Sequence, residues 1–138
     1  MKPRDILQRF VFERAAIRGE IVHLDSAWRA VLERHEYPPA VRNLLGELMA
    51  AAVLLSAMLK FKGSMILQIQ GNGPVNLLVV ESTSERTLRG MAQWSGELAS
   101  MPFPELVGQG KFVITIDPRE EGQRYQGIVS IEGETVSE

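Results

Sequence analysis

Leu44-Leu45-Gly46-Glu47-Leu48-Met49-Ala50-Ala51-Ala52-Val53-Leu54-Leu55 is the stretch that decides the fold. Leu44, Leu45, Leu48 and Met49 recur at helical spacing and give one apolar face, but from Leu48 onward apolar residues occupy every side. A helix apolar all round must be covered on several sides, so this segment is expected at the centre of the protein. Its predicted extent is Ala40–Phe61, opened by Tyr37-Pro38-Pro39, where a proline suits a first turn, and closed by Lys62-Gly63. Ala50, Ala51 and Ala52 are small enough to let other elements approach its backbone. The apolar run Leu48–Leu59, broken only by Ser56, has the length of a core helix and falls short of the roughly 20 residues a membrane span needs.

Upstream, Arg9–Glu13 and Ile17–Leu24 read as extended, the second with apolar residues on both parities. Asp25 or Ser26 is placed to cap a helix whose inward face is Trp28, Val31, Leu32 and His35. Downstream the chain reads as β. Ser64–Gln70 and Val75–Glu81 flank Gly71-Asn72-Gly73-Pro74, a hairpin signal because Asn-Gly accepts the positive φ of tight turns. Thr87–Trp94 sets Leu88, Gly90, Ala92 and Trp94 on one side, and Pro102–Val107 reads as a helical turn. Lys111–Asp117 and Arg124–Glu132 then form a second hairpin across Pro118–Gln123. Helices and strands are segregated along the chain. The predicted class is therefore α+β, with mainly antiparallel sheets packed around a long buried central helix.

The 138 residues fit one domain, and 45% hydrophobic with 23% charged residues is the balance of a folded globule. Fifteen basic and seventeen acidic residues leave a net charge of -2, with no positive excess to hold nucleic acid or an anionic membrane. No cysteine is present, which excludes disulfides, thiolate zinc sites and cysteine nucleophiles in these residues. The first residues carry no signal-peptide run, because Gln8 and Arg9 interrupt it, so a cytoplasmic protein is expected.

None of the pieces that resemble a catalytic or ligand motif completes one. Gly71-Asn72-Gly73 lies between strands, and Gly108-Gln109-Gly110-Lys111 precedes a strand where a phosphate loop requires a helix, so both read as turns. His23 has Asp25 nearby in sequence but no nucleophile, and His35 is expected to support the end of its helix. The carboxylates Asp117, Glu120 and Glu121, with Arg119 and Arg124 beside them, read as a solvated hairpin tip, and Glu132, Glu134 and Glu138 lie near the C-terminus. Met49, Met58, Met65, Met91 and Met101 suit either a core, with Met49 and Met58 on the central helix, or an adaptable binding surface. The residues alone name no catalytic, cofactor-binding or metal-binding set.

Several segments together resemble the N-terminal domain of the heat-shock protein 33 family of redox-regulated bacterial chaperones. They are Phe12-Glu13 through Arg18-Gly19-Glu20, then Tyr37-Pro38 through Leu44-Leu45-Gly46-Glu47-Leu48, then Leu54-Leu55-Ser56-Ala57-Met58-Leu59-Lys60-Phe61-Lys62-Gly63. Gln68-Ile69-Gln70-Gly71-Asn72-Gly73-Pro74, Arg89-Gly90 and Leu106-Val107-Gly108-Gln109-Gly110 follow in order. Val113-Ile114-Thr115-Ile116-Asp117-Pro118 and Arg124-Tyr125-Gln126-Gly127-Ile128-Val129 complete the series.

The resemblance implies an ATP-independent holdase that binds unfolded or partly folded client proteins under oxidative stress. It also implies a C-terminal module whose four cysteines hold zinc when reduced and form disulfides when oxidised. On that resemblance residues 1–138 are the client-binding core without the linker and the zinc module, so no cofactor is expected here and zinc is expected only in the full-length protein. A homodimer is expected, with exchange of a terminal element as one form of it, and Tyr125–Ile131 is expected to offer an unpaired sheet edge. The reading from another class is a small-molecule-binding domain or hydrolase using a pocket between the two hairpins.

Overall fold

The structure, a computed structural model, describes residues 5–58, 62–96, 98, 101–118 and 122–133. Alternation in the first residues produces a two-stranded antiparallel ribbon of β1 (Ile6–Val11) and β2 (Arg18–His23). Two helices follow, α1 (Ser26–Arg34) and α2 (Pro39–Ser56). Then come β3 (Gly63–Gly71), β4 (Val75–Thr83) and β5 (Leu88–Trp94), the short α3 (Phe103–Val107), and β6 (Gly110–Pro118) with β7 (Tyr125–Ser130). The last five strands form one antiparallel sheet in the order β5-β4-β3-β6-β7. The predicted α+β class with antiparallel sheets holds.

Register explains how the core is built. Ile69, Leu67 and Met65 of β3 stand opposite Leu78, Val80 and Ser82 of β4, and these stand opposite Ala92, Gly90 and Leu88 of β5. Residues paired in this way share a face, and this is the face on which α2 lies. A methyl group on Gly90 would meet Leu45 Cδ1 at 3.3 Å and Met49 Sδ at 3.4 Å, so the absent side chain lets the helix settle close. Leu45, Leu48, Met49, Leu67, Leu78 and Val80 are all buried beyond the reach of water.

The central helix differs from its expected form in two respects. It ends at Ser56 and Ala57–Met58 form a turn, so it stops short of Phe61, and residues 59–61 lie outside the described ones. It is also buried on one face only, through Val41, Leu44, Leu45, Leu48, Met49 and Ala52. Val53 and Leu54 are half-buried, and Leu55 and Met58 are exposed. The apolar character of its second half therefore exceeds what the sheet covers. By length and hydropathy α2 would also pass as a membrane span, but the face it buries is engaged with β3, β4 and β5.

Local signals elsewhere hold in outline. Pro39 opens α2 in the first turn, where a missing N–H is no loss. Asp25 occupies the position before α1 but makes no capping hydrogen bond; its carboxylate pairs with Arg29 instead, at 2.8 Å. The cap comes from Asp5, whose carboxylate accepts the Asp25 N–H at 2.6 Å and the Ala27 N–H at 3.1 Å. Within α1 only Val31 is fully buried, with Trp28 and Leu32 packed at the margin. His35 is exposed because the helix has ended at Arg34.

The β3–β4 hairpin forms, yet neither Asn72 nor Gly73 adopts a positive φ. Its glycines serve close approach instead. A Cβ on Gly71 would lie 2.2 Å from the Val107 carbonyl oxygen, and one on Gly73 would lie 2.5 Å from that of Leu106. The Gly73 N–H donates to the Val107 carbonyl at 2.8 Å, and Asn72 Oδ1 accepts the Gln109 N–H at 2.8 Å. The turn is clasped to the end of α3.

Candidate interaction surface

The residues singled out for chemistry do not converge. His23 and His35 are exposed on different elements, and Asp25 is committed to Arg29. Asp117 pairs with Arg124 at 3.4 Å, as expected of a solvated hairpin tip. Glu132 is exposed; Arg119, Glu120, Glu121, Glu134 and Glu138 lie outside the described residues. Among the described residues no three of His, Asp or Glu gather as metal ligands, and no buried side-chain nitrogen or oxygen lacks a hydrogen-bond partner.

A cavity of about 690 Å³ does exist, but not between the two hairpins of the large sheet. It lies under the β1–β2 ribbon, beside the end of α2 and one end of β3–β5, with Leu7, Val22, Val53, Met65, Ser82 and Leu88 in its wall. Neither β6 nor β7 contributes to it. The Ser56 and Ser82 hydroxyls bond each other at 2.9 Å, and the Ser84 hydroxyl accepts the Gly63 N–H at 3.0 Å, so these polar groups are spent on the protein itself.

Exposed apolar side chains are what the molecule gathers. In the ribbon, register puts Ile6, Gln8, Phe10, Gly19, Ile21 and His23 on one face, and Leu7, Arg9, Val11, Arg18, Glu20 and Val22 on the other. The second face turns toward α2: Arg9 bonds Glu20 at 3.1 Å, and its Nη2 donates to the Ala57 carbonyl at 2.6 Å, satisfying a group left free at the end of the helix. The first face looks outward. Phe10 lies over Gly19 and meets Phe12 edge-on at 6.0 Å between ring centroids. Around them Phe12 and Ile17 are each 56% exposed and Ile21 is 59% exposed, while Val11, on the other face at the end of β1, is 72% exposed. Met58, assigned from sequence to the buried helix, adds to the exposed apolar surface at 66%, whereas Met49 and Met65 are core residues.

The large sheet offers a second surface on the side away from α2. Met91, Val79, Gln68, Val113 and Ile128 stand directly opposite one another across all five strands, with Met91 and Ile128 exposed at the two ends, Val79 and Gln68 half-buried and Val113 buried between them. The row ends on β7, where Tyr125 and Val129 are exposed too, but on the opposite face of that strand. Scattered apolar side chains are ordinary on a protein surface, but contiguous groups of this kind mark sites of association. The sequence signal was present in the double parity of Ile17–Leu24; what periodicity does not reveal is which apolar residues stay outside.

Comparison with known proteins finds relatives along the whole chain. A family model described as Hsp33 protein matches residues 5–138. The 33 kDa chaperonin of Methylobacillus flagellatus is 52% identical over 139 residues, covering 100% of this chain and 47% of that protein. That of Chromobacterium violaceum is 50% identical over 140 residues, covering 100% and 48%. The crystal structure of the 33 kDa chaperonin from Thermotoga maritima shares the fold with a TM-score of 0.79 at 24% identity, over 94% of this chain and 47% of that one. The chain thus spans about half the length of the relatives it matches.

Proposed function

This chain belongs to the Hsp33 family, and from that premise we propose that it is a holdase module, binding unfolded or partly folded proteins on exposed apolar surface without nucleotide. The observation that carries the reading is the outward face of the β1–β2 ribbon. There Phe10, Phe12, Ile17 and Ile21 remain in solvent while the backbone beneath them is paired. A holdase requires apolar area and adaptable contacts, with no nucleophile and no general base, and the reading contains no enzymatic step. A cytoplasmic setting belongs to the same reading.

Redox control, on this proposal, resides in residues this chain does not contain. Zinc held by four cysteines would supply structural order to such a module. With no cysteine in the sequence, and with no group of ligands among the described residues, the residues present do not fit that metal. No step is assigned to it here.

The test is light scattering of a thermally aggregating client protein with the chain added and nucleotide omitted. Suppression at a small molar excess is expected. The Phe12→Ser/Ile21→Ser double variant removes two apolar anchors, each of a size that contributes about 1–2 kcal/mol in interfaces. It should need roughly 30-fold more protein, or greater, for equal suppression. A wild-type chain without effect at several-fold excess would defeat the proposal. Undiminished activity in the double variant would move the client surface away from the ribbon.

Self-association belongs to the same reading. The ribbon's apolar face is expected to support a homodimer, with exchange of a terminal element as one way of forming it. Since the chain has no thiol, the equilibrium should be insensitive to reductant. Sedimentation equilibrium over a wide concentration range, with and without reductant, measures both. A strictly monomeric chain at high concentration would reject the dimer.

A further inference from the structure

The two edges of the five-stranded sheet are treated differently. At one end β5 is shielded: α1 packs against it, Tyr37 meets Trp94 at 5.4 Å between ring centroids, and Arg89 on the strand is paired with Glu81. At the other end β7 reads Tyr125-Gln126-Gly127-Ile128-Val129-Ser130, with neither a charge nor a proline. It pairs with β6 from Ile116↔Tyr125 to Lys111↔Ser130, and no described strand lies beyond it. Every second residue of an edge strand directs its N–H and C=O outward. Proteins guard such edges with charges, proline or a covering element; β7 has no such residue, and no described helix packs against it as α1 does against β5.

From these observations we propose that β7 is a strand-addition site: an extended, uncharged, β-forming segment of a client pairs, as a sixth strand, with the outer edge that no described strand covers. The proposal rests on the holdase reading and names the kind of segment taken. Side-chain placement selects it. Ile128 lies beside Val113 on the face away from α2, while Tyr125 and Val129 lie opposite Ile116 and Phe112 on the other face, so the added strand meets apolar side chains on both sides. A segment with apolar residues of both parities and no charge is the type that drives aggregation when a protein unfolds.

Area argues against a second copy as the occupant. Six residues present about 20 Å of edge, and with a depth near 10 Å the contact is roughly 200 Å² per partner. A stable protein pair needs about 800 Å² per partner. Backbone pairing over so short a length suits weak, reversible capture of segments that share conformation and not sequence.

The test uses the 138-residue chain and a fluorescent, uncharged eight-residue peptide of valine and threonine with valine on both faces, with a twin N-methylated at the amides of one edge. Wild type should bind the parent peptide at least ten-fold more tightly than the twin, and the added peptide should slow amide exchange in β7. Ile128→Lys and Ser130→Lys, both at exposed positions, should each weaken binding of the parent by ten-fold or more while the thermal melt stays in place. Equal affinity for the twin, or slowed exchange confined to the ribbon, would overturn the proposal. If client aggregation is suppressed while the twin binds equally, the edge is wrong and the holdase reading stands. If aggregation is unaffected while β7 becomes protected by peptide, strand addition stands and the holdase reading fails.

Discussion

Leu48→Asp is expected to leave no cooperative thermal transition. Leu48 is 1% exposed and sits on the face of α2 that the sheet covers. Removing a leucine side chain from such a site costs about 3–5 kcal/mol, and an unpaired buried carboxylate adds several more. Against a total stability of about 5–15 kcal/mol for a domain, the sum leaves little or nothing. Leu48→Ala separates the two contributions: it should still melt cooperatively, lowered by roughly 10–20 °C. Circular dichroism on both variants reads the result. A parental melt for Leu48→Asp would mean that α2 does not bury this face.

Gly71→Ala should be the most damaging change of a single methyl group. Gly71 stands opposite Gly110 at the end of β3, and the added Cβ would lie 2.2 Å from the Val107 carbonyl oxygen and 2.7 Å from Val107 Cγ1. Neither neighbour can yield cheaply, because Val107 is fully buried and α3 is held in the core by Phe103 and Leu106 as well. Either the β3–β4 hairpin lifts or α3 undocks. A loss of about 2–4 kcal/mol follows, or roughly 8–15 °C in Tm. Gly90→Ala is the matched control, since its methyl meets only side-chain ends, the nearest at 3.3 Å. It should move Tm far less. Equal shifts for the two would remove the clasp between hairpin and helix from the account.

Much of this architecture was legible in the residues, and the failures have identifiable causes. The α+β class, the start of α2 and most strand positions follow from segregation, Pro39 and alternation. The position of β1 does not, since it runs from Ile6 to Val11, ahead of the Arg9–Glu13 expected, and Phe12-Glu13 lie past its end. The end of α2 does not, because Leu54, Leu55, Ala57 and Met58 continue an apolar pattern that serves two purposes. Some of these residues pack, while Leu55 and Met58 remain outside, and periodicity registers apolar character without its destination. The α1 cap departs from expectation for a different reason: Asp25 stands at the right place, but Asp5, far away in sequence, reaches the amides of Asp25 and Ala27 across the fold. The glycines of the β3–β4 turn were credited with a backbone conformation they do not adopt, because their neighbour, α3, is distant in sequence. The exposed apolar surface was the least legible part. Its signal is an apolar residue left uncovered, and coverage is a property of the tertiary structure.

The ribbon has few ties to the rest of the molecule, and this sets the order in which parts of the protein come apart. Among the described residues its side-chain hydrogen bonds to the body are Asp5 to the amides opening α1 and Arg9 to the carbonyl closing α2, and β2 rests on α2. Every residue of β1 is exposed, whereas β3 and β4 are buried at alternate positions along their length. A unit with so little buried area opens at a small fraction of the global unfolding free energy. Its amides therefore exchange through a local, reversible detachment that leaves the five-stranded sheet intact. The ribbon that leaves the most apolar side chains in solvent is thus also the part that most readily lets go, while the scaffold beneath it stays folded.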